Sequence, residues 1–171
     1  RYWRDWSSDV CSSDLPLARA FLGLSAENRR AATLLLVGTG PLETELRALA
    51  DRSEGALRLL GHRDPAEVRS VLQAADTFIL NTFLDPNPLA PIEAAACGLP
   101  LVLSCRAGNS DELLVEPRLG CAIPDPADPT FALATALGWS EAERGQLSAR
   151  ARQIAEQTFA LPAIAARLVR E

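Results

Sequence analysis

Short apolar runs alternate along this chain with amphipathic segments of helical period, and few folds accept that alternation. The runs 32–37, 57–60, 77–80, 101–103 and 121–123 read as buried strands. Between them, residues 42–51 place Leu42, Leu46 and Leu49 on one helical face, and residues 65–74 form a helix with Asp64 as its cap and Pro65 at the first position. Residues 17–24 read as the end of a helix, 111–114 as a short one, and 128–137, 141–157 and 161–170 as longer ones. Strands separated by helices of this length run parallel and are joined by right-handed crossovers. The expected fold is α/β, a Rossmann-like doubly wound parallel sheet. Such sheets bind ligands beyond the carboxyl ends of their strands. Those ends carry the Gly38-Thr39-Gly40-Pro41 turn, Gly61 with His62 and Arg63, and the segments 81–87 and 104–109.

One of these ends concentrates the chemistry. The stretch 85–98, DPNPLAPIEAAACG, puts the carboxylates of Asp85 and Glu93 at either end of a proline-rich turn that runs into an alanine-rich helix. The prolines lack backbone donors. Asn87 is the expected N-cap and Pro88 the expected first helical residue, which would leave the amides of Asn87, Leu89 and Ala90 pointing at an anion. Read for packing alone, Glu93 is an acid favouring a helix dipole and Asp85 a turn aspartate. The Gly38–Gly40 pair has the strand-to-helix context of a phosphate loop. However, Glu43 stands where a dinucleotide fingerprint needs glycine, which disfavours NAD or FAD.

Composition narrows the partners. With 171 residues, 48% of them hydrophobic, the chain can bury one core. A net charge of −5 without a basic block argues against nucleic acid, although a local basic face remains compatible with it. No apolar run is long enough to cross a bilayer and no segment resembles a secretory signal, so a cytoplasmic location is expected. Cys11, Cys97, Cys105 and Cys121 lack metal-ligand spacing, and His62 is the only histidine. No metal site is expected, and the cysteines read as reduced, mostly buried thiols. All 17 cationic side chains are arginines.

Residues 1–15, RYWRDWSSDVCSSDL, do not share the alternation. They hold two of the three tryptophans and the only tyrosine, and 5–15 resembles the translation of a sequencing-library adapter. The segment is therefore excluded from the expected fold, and its deletion is expected to leave thermal stability unchanged. The domain is expected to span 16–171 and to be incomplete at both ends, since the chain has no methionine and stops at Glu171 within a helical pattern.

In order, LLLVGTGPLETELRALA, LRLLGHRDPAEVRSVLQAADTFILNT, DPNPLAPIEAAACGLPLVLS, AGNSDELL and GCAIPDPADPTFALATAL resemble the donor-binding C-terminal domain of retaining glycosyltransferases of the GT-B fold, family 4. The likeness covers residues 16–171. Its most specific part is the acidic pair Asp85 and Glu93, with seven residues between, followed by an alanine-rich stretch and Cys97-Gly98-Leu99-Pro100. The resemblance implies that Glu93 holds the ribose hydroxyls of a UDP- or GDP-linked sugar and that Asp85 contacts the sugar transferred. The amides at Asn87, Leu89 and Ala90, beside Pro88, would face the diphosphate, with Gly38 and Gly40 close by and Gly61 and His62 flanking the base. Asn109 and Glu112 lie on the same rim, with their roles open. No further cofactor is implied.

Departures from the family pattern matter. Asp85 replaces the usual glutamate, and Asn87-Pro88 stands where many members have an aromatic-glycine pair. The family's phosphate-neutralising arginine and lysine near the start of this domain have no counterpart. The N-terminal Rossmann-like acceptor domain, with its catalytic histidine, is missing. Alternatives are a nucleotide-sugar epimerase of related architecture or a binding fragment without turnover. The acceptor and any membrane association are left open.

Overall fold

The computed structural model describes residues 3–4, 13–114, 120–160 and 162. In chain order the elements are β1 (Trp3–Arg4), α1 (Asp14–Gly23), α2 (Ala26–Ala31), β2 (Leu34–Val37), α3 (Glu43–Asp51), β3 (Leu57–Gly61), α4 (Pro65–Ala74), β4 (Phe78–Leu80), α5 (Ala90–Ala96), β5 (Leu101–Ser104), α6 (Ser110–Leu113), β6 (Gly120–Ile123), α7 (Thr130–Leu137) and α8 (Glu141–Ile154). A π-helical turn, Ala155–Phe159, continues α8. The expected helix at 161–170 lies outside the described residues, apart from Pro162.

Among the described residues the strands form one parallel sheet in the order β3-β2-β1-β4-β5-β6. That is the Rossmann order, reversing direction between β1 and β4, where such sheets open their ligand crevice. Every residue of β4 and β5 is buried. Successive strand side chains point to opposite faces, so both faces are covered there. On the flanks, α1 packs against α3 and α7, and α5 against α8 and the π-helical turn.

Local chemistry explains the boundaries. Asp64 caps α4 through a full capping box: its carboxylate accepts from the Glu67 N–H at 2.8 Å and the Glu67 carboxylate accepts from the Asp64 N–H at 3.0 Å, with Pro65 in the first turn. Ser140 and Glu143 build the same device at the start of α8. Ser25 caps α2, a helix absent from the sequence expectation.

Two expectations are corrected. Excluding residues 1–15 from the fold fails at the described positions: Trp3 pairs with both Leu36 and Ile79, which makes β1 an interior strand. Ser13 and Asp14 are likewise buried where α1 begins. The thiols are free but not mostly buried, since Cys105 is exposed and Cys97 and Cys121 are half-buried. Cys11 lies outside the described residues.

Candidate functional site

The carboxyl edge of the sheet is assembled by backbone contacts between loops. Beyond β2 the chain enters Gly38, at a φ of 129°, whose N–H donates to the Gly61 carbonyl at 2.9 Å. Gly61, at a φ of 69°, ends β3, and the register slips between Leu36 and Val37 to let the two loops meet. Both φ values favour glycine, so the pairing of Gly38 with Gly61 follows from residue type. Gly40 accepts the Glu43 N–H at 3.0 Å and turns the chain into α3. His62 is exposed, while Arg63 makes an i,i+4 ion pair with Glu67 at 3.7 Å.

Beyond β4, Asn81 and Thr82 are buried before Phe83 and Leu84 emerge into solvent. The Asn81 side chain donates to the carbonyls of Ser13 and Pro126, each at 2.9 Å. The next turn is clamped by the loop that follows β5. The Asp85 N–H donates to the Arg106 carbonyl at 3.3 Å, and the Asp85 carbonyl accepts from the Gly108 N–H at 2.8 Å. Buried Asn109 donates its side-chain amide to the Pro88 carbonyl at 2.6 Å. Ser104 Oγ fastens the strand ends together by donating to the Thr82 carbonyl at 2.7 Å. Gly108 lies so close to Pro86 that a Cβ there would stand 1.9 Å from the Pro86 oxygen.

These contacts correct the expected helix start. The helix opens at Ala90, with Leu89 as N-cap and a proline in its first turn, so neither Asn87 nor Pro88 belongs to it. Asn87 does not offer a free amide, because its N–H donates to the Asp85 carboxylate at 3.2 Å. That is the aspartate-turn role weighed for Asp85, and it occupies one of the two carboxylate oxygens. Pro88 is buried and Leu89 is 60% exposed.

Glu93 lines, with Arg69, Cys97, Pro65, Val68, Leu72 and Ala96, a 260 Å³ cavity between α4 and α5. Burial pushes the Cys97 thiol up, against the pull of the Arg69 guanidinium, while Glu93 adds to the rise and Arg152 opposes it. Arg152 also donates to the Cys97 carbonyl at 3.2 Å, tying α8 to the end of α5. The structure thus joins Gly38 to Gly61 and Asp85 to Asn87. Asp85, the glycines, His62 and the 87–90 amides do not line the cavity of Glu93. The sequence placed Asn109 on this rim without a role; that it and Gly108 form the clamp follows from contacts long in sequence separation, for which a single sequence carries no local signal.

No group of three His, Cys, Asp or Glu among the described residues could hold a metal ion, and none of their helices is long and apolar enough to cross a membrane.

The family model described as glycosyl transferases group 1 matches residues 15–139. The glycogen synthase of Mycobacterium tuberculosis is 34% identical over 109 residues, covering 61% of this chain and 26% of its own length. The amylovoran biosynthesis glycosyltransferase AmsK of Erwinia amylovora is 35% identical over 81 residues, covering 43% of this chain and 20% of that protein. Among solved structures, Anabaena Alr3699/HepE in complex with UDP superimposes with a TM-score of 0.78 at 20% identity, over 98% of this chain and 47% of that one. The chain therefore spans about a fifth to a quarter of the length of these curated relatives and under half of the solved one.

Proposed function

The chain belongs to the group 1 glycosyl transferases, and on that premise we propose that it supplies the donor-binding half of a family 4, GT-B enzyme. That enzyme transfers a sugar from a UDP- or GDP-linked donor to an acceptor, with retention at the anomeric carbon. The observation that carries this reading is the clamped turn from Asp85 into α5. It sits at the carboxyl end of β4, on the side of the sheet where the strand order reverses. The UDP held by Anabaena HepE, a protein of the same fold, supports a nucleotide donor for this chain.

In this reading Glu93 accepts the two ribose hydroxyls, as a carboxylate with two acceptor oxygens can. The free oxygen of Asp85 accepts a hydroxyl of the transferred sugar. Its Asn87 contact fixes the direction of that oxygen. Gly38, Gly40, Gly61 and His62 border the diphosphate and the base, with the Leu89 and Ala90 amides nearby. The partners proposed are the nucleotide sugar and an N-terminal Rossmann-like domain, in the cytoplasm and without a metal. Residues 5–15 are proposed to be non-native. Catalysis needs the acceptor and the leaving-group charges in one closed cleft, so the isolated chain is expected to bind without turning over.

Titration calorimetry with UDP and GDP tests the site. Glu93→Ala is expected to weaken nucleotide binding about tenfold or more, as loss of a charge-assisted bond requires. Equal affinity in wild type and variant would remove Glu93 from the ribose role.

A further inference from the structure

A cavity of 640 Å³ lies away from the carboxyl edge, where α2 and the end of α3 meet the amino ends of β2 and β3. Volumes of this size accommodate small-molecule ligands. Four guanidinium groups line it: Arg29 and Arg30 from α2, Arg52 at the end of α3, and Arg58 from β3. Glu54 is the only acid in the lining. In a chain of net charge −5, a wall of four cations against one anion is a marked local reversal.

Ion pairs among the described residues join Arg47 to Glu43 and Arg63 to Glu67, and neither involves these four arginines. Two of the four are held in place by neutral partners. Arg29 donates to the Leu22 carbonyl at 2.9 Å, and Arg58 donates through Nε to the Gly55 carbonyl at 3.3 Å. Each contact uses one of the five donors of its guanidinium. Guanidinium forks match phosphate oxygens two at a time, and positioning them beforehand lowers the cost of binding. Leu22, Leu49 and Ala56 supply apolar wall between the charges.

We propose that this cavity is a second site, binding an organic phosphate at the end of the sheet opposite the nucleotide-sugar edge. Its concavity favours a soluble phosphate monoester over a flat headgroup surface. The inference does not rest on the donor reading, since no residue of the Asp85–Glu93 stretch lines the cavity.

The test is calorimetric titration of the 171-residue chain with glycerol 3-phosphate, with and without saturating UDP, alongside co-sedimentation with phosphatidylcholine vesicles containing phosphatidylglycerol. Saturable binding of glycerol 3-phosphate is expected, unchanged by UDP and weakened about tenfold or more in Arg30→Gln/Arg52→Gln. Glu54→Gln, which removes the opposing charge, is expected to tighten it and serves as the second variant should the double variant fail to fold. Vesicle binding lost in the double variant, with glycerol 3-phosphate also competing, would support the site and assign its phosphate to lipid as well. Absence of binding to both probes overturns the site, as does binding that UDP abolishes or that neither variant alters.

Discussion

Gly108 shows how tightly the candidate site is constrained by a single residue. The oxygen that a Cβ there would strike belongs to the backbone of Pro86, between two bonds that fix the turn, and no rotamer change can move it aside. Gly108→Ala is therefore expected to cost about 1–3 kcal/mol, the range for overpacking a fixed environment. A thermal melt should show the loss as several degrees, and nucleotide affinity should fall with it because the turn moves; an unchanged melt would mean that the loop yields. Gly98 makes a useful contrast. An added Cβ would lie 2.6 Å from the tip of Arg152, which can swing away, so the strain there comes from its φ of 77°. The thiols add a chemical readout. Exposed Cys105 sits in the clamp loop, while burial pushes the thiols of Cys97 and Cys121 up. Alkylation at neutral pH is expected to label Cys105 first and to slow when nucleotide occupies the neighbouring turn, as peptide mapping would report. Of these features, the turn role of Asp85 was legible by residue type. The clamp was not, because Asn109 reaches Pro88 across 21 positions of sequence.

Elements were legible where their signals are local. Asp64 followed by Pro65 marked the start of α4, and the structure builds a capping box on it. The start of α5 was misread for a physical reason. Proline occurs at 86, 88 and 91, and each can stand in a first turn; the choice among them is made by Asp85 taking the Asn87 amide and Asn109 taking the Pro88 carbonyl. Only beyond those contacts is the chain free to wind. At α8, the Glu143 carboxyl lies below its ordinary range because the Ser140 hydroxyl and backbone N–H both donate to it. A carboxyl depressed in the folded state stabilises the fold fully above its unfolded value and loses that contribution as pH falls through the folded value. Melting wild type and Glu143→Gln across the acid range should show the wild type losing more stability than the variant as the pH drops below about 4, near the unfolded glutamate value. Parallel curves would show that the box does not couple to titration. Since the group is exposed, the difference should be small.

At the scale of the molecule, the alternation of strands and helices made the parallel doubly wound class readable, but not the order of its strands. Order depends on which strand pairs with which, and the strand at the centre lies in the segment whose composition least resembles the rest. Trp3 and Arg4 hold the slot between β2 and β4, pairing with Leu36, Val37 and Ile79. The strand precedes residues 5–15, whose Ser13 and Asp14 are themselves buried where α1 begins. Its place in the sheet reverses the expected effect of deletion. Without residues 1–12, β2 and β4 would each lose their partner in the middle of the sheet, leaving backbone donors and acceptors in an interior where water cannot readily satisfy them. Each lost bond removes roughly 1 kcal/mol, and a domain of this size melts about 2–4 °C lower per kcal/mol, so a drop of several degrees is expected. Ser13 would remain, and with it the carbonyl that Asn81 grips and the start of α1. A second truncation that starts the chain at Trp3 keeps β1 and should melt as the full chain does. Identical melting of all three proteins would show that β2 and β4 close the gap themselves and that β1 adds nothing to the sheet's stability.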